Sequence, residues 1–404
     1  MAEQQKKLML LGGLRYLLPV IEAAHRHGIH VITVDYLPDN IAHKYSDEYH
    51  NVSIIDKEAV LALAQELQID GIMSFAVDPG VVAAAYVAEQ MGLPFQCSYE
   101  AACILQDKSR FRKFLADNGF NVPNSRGYSQ GDDALKDISY FNWPVIVKPV
   151  DSAGSKGVTR VDNPADLPAA IAHALDSSPS KHFIIEDFLE LDGYQSSTDV
   201  FTVNGELLHC PFSDQLFDKS AVNPYVPAIE IWPSTMPVSV QMELRSELQR
   251  LFKLLECNTG IYNVEARLCK NGKAYIMEVS PRGGGNRIAE LQRYASGVDL
   301  IEADMLKALD LPLNEISEGN QKDIWCNFIL HSNVGGVFSK IRYSDDFKDA
   351  CVVEEGILVK KGDVIKPFTG ANQSLGTIFL RFDTRAQLDH FLQYPNNFIS
   401  IITE

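Results

Sequence analysis

Two hydrophobic periods alternate over the first hundred residues. The short apolar runs KLMLL and HVITV read as buried strands. Between them RYLLPVIEAAHRHG carries apolar positions three and four apart, the spacing of a helix with one buried face. Strand, helix and strand a few residues apart make a βαβ unit. The alternation continues through a helix opened by Asp56, a strand DGIMSF, and a helix whose N-cap is expected at Asp78 with Pro79 at its first position. This series predicts a doubly wound parallel sheet. Gly12 and Gly13 close the first strand and Asp35 follows about 22 residues on, near the spacing of a dinucleotide fingerprint. Leu17 stands where a third glycine belongs, so a tight strand-to-helix turn with no nicotinamide cofactor is the expectation.

Beyond this region the pattern changes. One helix is expected from about Ser98 to Asn118, stopped by Gly119. Short strands, Asn-Gly turns and a long amphipathic helix near 238–256 follow. The last ninety or so residues carry the strand-like runs WCNFIL, GVFSKI and GTIFLRF and a closing helix near AQLDHFLQY, which suggests a small α+β module. A chain of 404 residues exceeds the size of one core, so two or three domains are expected. The excess of 53 acidic over 36 basic residues argues against nucleic acid or an anionic membrane as the main partner. Seven scattered cysteines, never spaced Cys-x-x-Cys, fit reduced thiols in a cytoplasm and no zinc knuckle. The apolar run at the N-terminus meets glycines at once, and no stretch approaches about 18 apolar residues, so neither export nor a membrane span is expected.

Three stretches carry candidate chemistry. In KPVDSAGSKGV, a strand ends at Lys148 and a loop of small residues runs from Asp151 to Val158. Small side chains let backbone N–H groups approach an anion, and Lys148 would add point charge to the same oxygens. Taken alone, the loop reads as a solvent-exposed turn before it reads as a phosphate site, because Gly/Ser loops are common. In IYNVEARLCKNGKAYIMEVS, a two-residue type I′ turn at Asn271-Gly272 would set Lys270 opposite Lys273 and Glu265 opposite Glu278. Asn263, Ser280 and Arg267 would share the glutamates' face, and the other face would pair Val264 with Val279, Ala266 with Met277 and Leu268 with Tyr275. Two opposed carboxylates need a cation or a shared proton between them, and Mg²⁺ meets that need. The alternatives are two solvated glutamates or a bulge that breaks the register. In SPRGGGNRIAEL, three glycines beside a helix start make an anion pocket, with Arg282 and Arg287 placed to hold a carboxylate or a transferring phosphoryl group.

These residues resemble those of the ATP-grasp superfamily, the group that includes biotin carboxylase, D-alanine:D-alanine ligase and the L-amino acid ligases. The resemblance implies an α/β and α+β architecture: a doubly wound N-terminal domain over residues 1–104, an ATP-grasp domain over 105–310 with a lid at about 118–190, and a C-terminal α+β module over 311–404. It implies ATP between two subdomains, with Ser152, Gly154, Ser155 and Gly157 closing on its phosphates and Lys108 and Lys148 as the two nucleotide lysines. Glu186 matches the residue near the adenine amino group, and the backbone of Asp187, Phe188 and Leu189 matches the hinge that reads the ring edge. Glu265 and Glu278 match paired Mg²⁺ ligands, with Mn²⁺ as the alternative ion, and Arg282 matches the arginine that stabilises the transferred phosphoryl group. Two departures stand out. Gly193, Tyr194 and Gln195 replace Gly-x-Glu, leaving the ribose contact to Gln195 or Glu190, and Ser280 replaces the asparagine of Glu-x-Asn-Pro-Arg as third metal oxygen. The implied activity joins a small-molecule carboxylate to an amine through an acyl phosphate, with Arg282, Glu278 and Arg287 as catalytic candidates and a homodimer as the expected assembly. The alternatives are a bicarbonate-phosphorylating carboxylase, for which Asn286 stands where the family has a glutamate base, and an ATP-binding module without chemistry.

Overall fold

A computed structural model describes residues 5–152, 154–320 and 323–404. The first four residues of the N-terminal run read for export lie outside the described residues. Strands Lys7–Leu11, His30–Val34, Glu48–His50 and Gly71–Met73 form a parallel sheet in the order third, second, first, fourth. Leu8 and Leu10 pack on one face beneath Leu18–Arg26, while Met9 and Leu11 pack on the other beneath Lys57–Leu67 and Asp78–Met91. Both faces are covered, so the strand must be apolar at successive positions. The helix after the first strand lies on one side of the sheet and those flanking the fourth strand on the other, so the topological switch point, where sheets of this kind open a crevice, falls between Lys7–Leu11 and Gly71–Met73 at their carboxyl ends.

The single helix expected over 98–118 is two helices, Tyr99–Gln106 and Lys108–Asp117. Asp107 breaks it. Its backbone is extended (φ −107°, ψ 110°), and its carboxylate accepts from the N–H groups of Ser109 at 2.8 Å and Arg110 at 2.9 Å. A side chain that caps a new helix competes with continuation of the old one. The break makes Lys108 the first residue of the second helix and sets Arg112 one turn along the same face. The expected cap at Asp78 is also different: its helix starts at Asp78 itself, and the carboxylate turns away to an arginine described below.

A four-stranded antiparallel sheet follows, Ser125–Tyr128, Phe183–Asp187, Val145–Pro149 and Thr159–Val161 in that spatial order, backed by Leu167–Ser177. It faces a nine-stranded antiparallel sheet that contains Gly260–Cys269, Ala274–Ser280 and Leu191–Val203, with helix Val238–Leu254 on one face. The C-terminal strands Ile324–Leu330, Gly376–Phe382 and Val352–Ile357 extend this same sheet, and Arg385–Gln393 packs over them. The C-terminal α+β part is thus joined to the central sheet by backbone hydrogen bonds.

In the hairpin, Asn263 faces Ser280, Val264 faces Val279 and Glu265 faces Glu278, as the spacing predicts. The turn differs. Cys269 pairs with Lys273 around a three-residue loop, and Gly272 (φ 76°) alone of the Asn-Gly pair has positive φ, whereas a type I′ turn needs both. Nearer the turn Ala266 therefore faces Ile276 rather than Met277, and Leu268 faces Ala274 rather than Tyr275. A bulge between Glu265 and Ala266 inserts one residue on the return strand. The two one-residue offsets cancel, and the glutamates meet.

Candidate active site

The four-stranded and nine-stranded sheets enclose a cleft of about 250 Å³. Its walls include Lys108, Lys148, the loop residues Ser152, Gly154 and Ser155, and the stretch Glu186 to Leu189. Its floor is the hairpin face carrying Asn263, Glu265, Arg267 and Glu278, with Gln195 and Arg282 at its edges. The bulge turns Met277 into this floor as well. A larger cavity of about 440 Å³ beside Asp218 and His331 contains none of these candidates.

The basic and acidic groups interlock. The Lys108 ammonium lies 3.5 Å from a Glu278 oxygen and donates to the Ser152 carbonyl at 3.1 Å, tying this lysine to both the carboxylate pair and the glycine loop. Burial would pull Lys108 down, but Glu278, Asp78 and Glu265 outweigh it and hold its pKa above the ordinary value. Burial and the facing Glu278 charge together push Glu265 up. An all-oxygen pair strained by its own charge is the donor set that suits Mg²⁺, which takes one or two carboxylates and completes its shell with phosphates and water.

Lys148 and Glu186 meet at 2.6 Å, and Arg112 reaches the other Glu186 oxygen at 2.7 Å. Burial would push Glu186 up, but the charges of Arg112 and Lys148 prevail and hold it at about 2. Both oxygens are committed, so Glu186 is the counter-ion of this pair and does not offer a free carboxylate to an adenine amino group. Arg112 escaped the sequence reading; the signal was its i+4 spacing from Lys108, legible only once Asp107 is known to restart the helix.

Other candidates are displaced. The Ser280 hydroxyl donates to Asp78 at 3.0 Å and accepts from Gln106 at 2.5 Å, so it is not turned to a metal. An amide on the glutamates' face is that of Asn263, directly opposite Ser280 on the partner strand; its nitrogen donates to Asp199 at 3.0 Å, which leaves its carbonyl oxygen as an acceptor there. Glu190 pairs with Lys270 on the surface and is absent from the cleft walls, whereas Gln195 is buried, accepting from Arg267 at 2.7 Å. Gly157 faces away from the cleft. With φ +71° and a position where a Cβ would fall 2.6 Å from that of Ser177, it serves close packing behind the loop.

Arg282 meets Asp78 through two hydrogen bonds, Nε to Oδ1 at 2.8 Å and the terminal nitrogen to Oδ2 at 2.7 Å. The pair crosses from the parallel-sheet domain to the end of the hairpin. Burial alone would raise the Asp78 carboxyl, but Arg282 and the Ser280 hydroxyl hold it below its ordinary value. Arg287 is outside the cleft walls: it pairs with Glu290 at 2.8 Å and with Glu354, and its guanidinium lies 4.3 Å from the Phe379 ring centre.

A four-stranded sheet facing a large antiparallel sheet across a polar cleft, behind a doubly wound N-terminal domain, defines a class. An ATP-grasp N-terminal domain model matches residues 21–95 and an ATP-grasp domain model matches residues 141–290, and the chain belongs to the ATP-grasp superfamily. It is 26% identical over 326 residues to the formate-dependent phosphoribosylglycinamide formyltransferase of Parasynechococcus marenigrum, covering 78% of this chain and 80% of that one. Its fold is similar to that of an L-amino acid ligase from Bacillus licheniformis, with a TM-score of 0.80 at 21% identity over 100% of both chains. It is also similar to the biotin carboxylase domain of a Hydrogenobacter thermophilus 2-oxoglutarate carboxylase, solved with MgADP and bicarbonate, with a TM-score of 0.74 at 15% identity over 99% of this chain and 92% of that one.

Proposed function

We propose that the chain is an ATP- and Mg²⁺-dependent ligase that joins a carboxylate to an amine. The observation that carries this reading is the meeting, in one cleft, of the Glu265 and Glu278 carboxylates with Lys108, Lys148 and the glycine loop. Lys108 and Lys148 neutralise the oxygens of a triphosphate tail, and backbone N–H groups of the loop around Gly154 approach them closely. Glu265, Glu278 and the Asn263 carbonyl would hold Mg²⁺, which would supply further charge neutralisation to the phosphates. An oxygen of the acceptor carboxylate attacks the terminal phosphorus, the bond to the bridging oxygen breaks, and ADP leaves. The amine nitrogen then attacks the acyl carbon, phosphate departs with its electron pair, and the amine proton passes to solvent. Arg282, held in place by Asp78, offers its remaining charge to the phosphoryl group in flight.

The curated relative and the L-amino acid ligase support amide formation as the outcome, the first being by its name a formate-dependent formyltransferase. All seven cysteines are free thiols, which supports a reducing cytoplasm, and no helix among the described residues is long and apolar enough to cross a membrane. The test is ADP release with Mg²⁺ against a panel of carboxylic acids and amines. Glu278→Gln should cut turnover on the order of 100-fold or more with the fold retained. Undiminished ADP release in that variant would refute the assignment.

A further inference from the structure

Of the arginines set around the SPRGGGNR segment, two have carboxylate partners: Arg282 has Asp78, and Arg287 has Glu290 and Glu354. Arg15 differs. It sits on the turn that follows the first parallel strand, opening the short helix Arg15–Leu17, and it is half-buried. None of its guanidinium nitrogens has a hydrogen-bond or ion-pair partner among the described residues, and one of them is fully buried in that state. A buried cationic donor without an acceptor costs free energy that a bound acceptor recovers.

Its position in the fold says what that acceptor belongs to. The crevice at the carboxyl ends of Lys7–Leu11 and Gly71–Met73 is the topological switch point of the parallel sheet, where open α/β sheets bind ligands. Arg15 lies on the loop from one of these strands, and Phe75 and Asp78 follow the other. The crevice abuts the glycine run: a Cβ on Gly283 would fall 2.4 Å from the Phe75 ring, and the Tyr16 hydroxyl lies against the backbone of Asn286. The loop bearing Arg15 thus borders the segment that continues from the phosphoryl-facing Arg282.

We propose that Arg15 is the anchor for an oxyanion group, carboxylate or phosphate, on the acceptor substrate, and that the acceptor enters through the switch-point crevice of the N-terminal domain. The planar guanidinium grips either group by two parallel hydrogen bonds. The inference deepens the ligase reading and rests on it only for calling the ligand an acceptor. Arg287, whose charge is spent on two glutamates, is replaced in that role.

Two probe sets distinguish the sources of the anion: free amino acids for a carboxylate, and ribose 5-phosphate for a phosphate monoester. Binding of each is measured by titration calorimetry on the protein loaded with Mg²⁺ and a nonhydrolysable ATP analogue, in wild type, Arg15→Ala and Arg15→Lys. One set should bind wild type, weaken on the order of 10- to 100-fold in Arg15→Ala and recover in part in Arg15→Lys. Neutral analogues, the amino acid amides or ribose itself, should bind wild type as weakly as the charged probe binds Arg15→Ala. Equal affinity of every probe for wild type and Arg15→Ala, or binding of neither set to a nucleotide-loaded wild type, overturns the anchor. ADP release measured in parallel separates the two readings: turnover that ignores Arg15 sinks the anchor alone, while Arg15-dependent binding without turnover on any acceptor sinks the ligase alone.

Discussion

Replacing Asp78 with asparagine tests whether the N-terminal domain is clasped by charge to the hairpin that carries Glu265 and Glu278. Asp78 and Arg282 share two hydrogen bonds of 2.7 and 2.8 Å, and their side chains retain 19% and 9% exposure. Removing one partner of a buried pair costs about 3–5 kcal/mol, chiefly because the other charge stays buried without compensation. The residual exposure of Asp78 and the hydrogen bond an amide oxygen can still accept point to the low end, about 3 kcal/mol. With a slope near 3 kcal/mol per M, the midpoint of urea unfolding should fall by roughly 1 M. The effect is also pH-dependent with a definite sign. The folded pKa of Asp78 lies below its ordinary value of 3.8, so its contribution is present above that value and fades as pH falls through the lower, folded one. The gap between wild type and Asp78→Asn should hold constant from neutral pH down to the ordinary carboxylate range and close below it. The double variant Asp78→Asn/Arg282→Gln should recover part of the loss, since no charge is then stranded. A midpoint within experimental error of wild type at neutral pH would refute the clasp.

Arg112→Met removes one of the two cations that hold Glu186 at about 2 against an ordinary value of 4.5. Wild type should lose this contribution as pH falls from 4.5 toward 2, whereas the variant should start less stable by about 3 kcal/mol and begin to lose the rest at higher pH, read from urea midpoints across that range. Asn263→Ala should raise the Mg²⁺ concentration for half-maximal ADP release by roughly 10-fold while Ser280→Ala leaves it within about twofold, since the serine hydroxyl is turned to Asp78. Gly157→Ala forces a Cβ to within 2.6 Å of Ser177 at a positive φ, so it should destabilise the lid by about 1–3 kcal/mol and raise the KM for ATP in a steady-state titration.

The local patterns were legible because their causes are local. Apolar runs filled at every position named the parallel strands, since a strand covered on both faces has no polar position to spare. The facing of Glu265 and Glu278 followed from the two-residue period of a strand, although it survives in the structure only because a bulge cancels a longer turn. Lys108 and Lys148 stand at element ends that sequence alone could mark. What the sequence could not hold is which charge meets which. Asp78 reads as a helix cap until the fold brings Arg282, more than 200 positions away, to 2.7 Å. Glu186 reads as a nucleotide contact until Arg112 and Lys148 arrive from two other elements. Ser280 reads as a metal oxygen until the fold turns its hydroxyl to Asp78, while Asn263 stands opposite it across the ladder. Local propensity fixes elements through interactions a few residues long, whereas pairing of buried charges is decided by the desolvation each must recover from whatever the tertiary fold sets beside it. Arg15, left without such a partner, is the position where that rule points beyond the chain to its substrate.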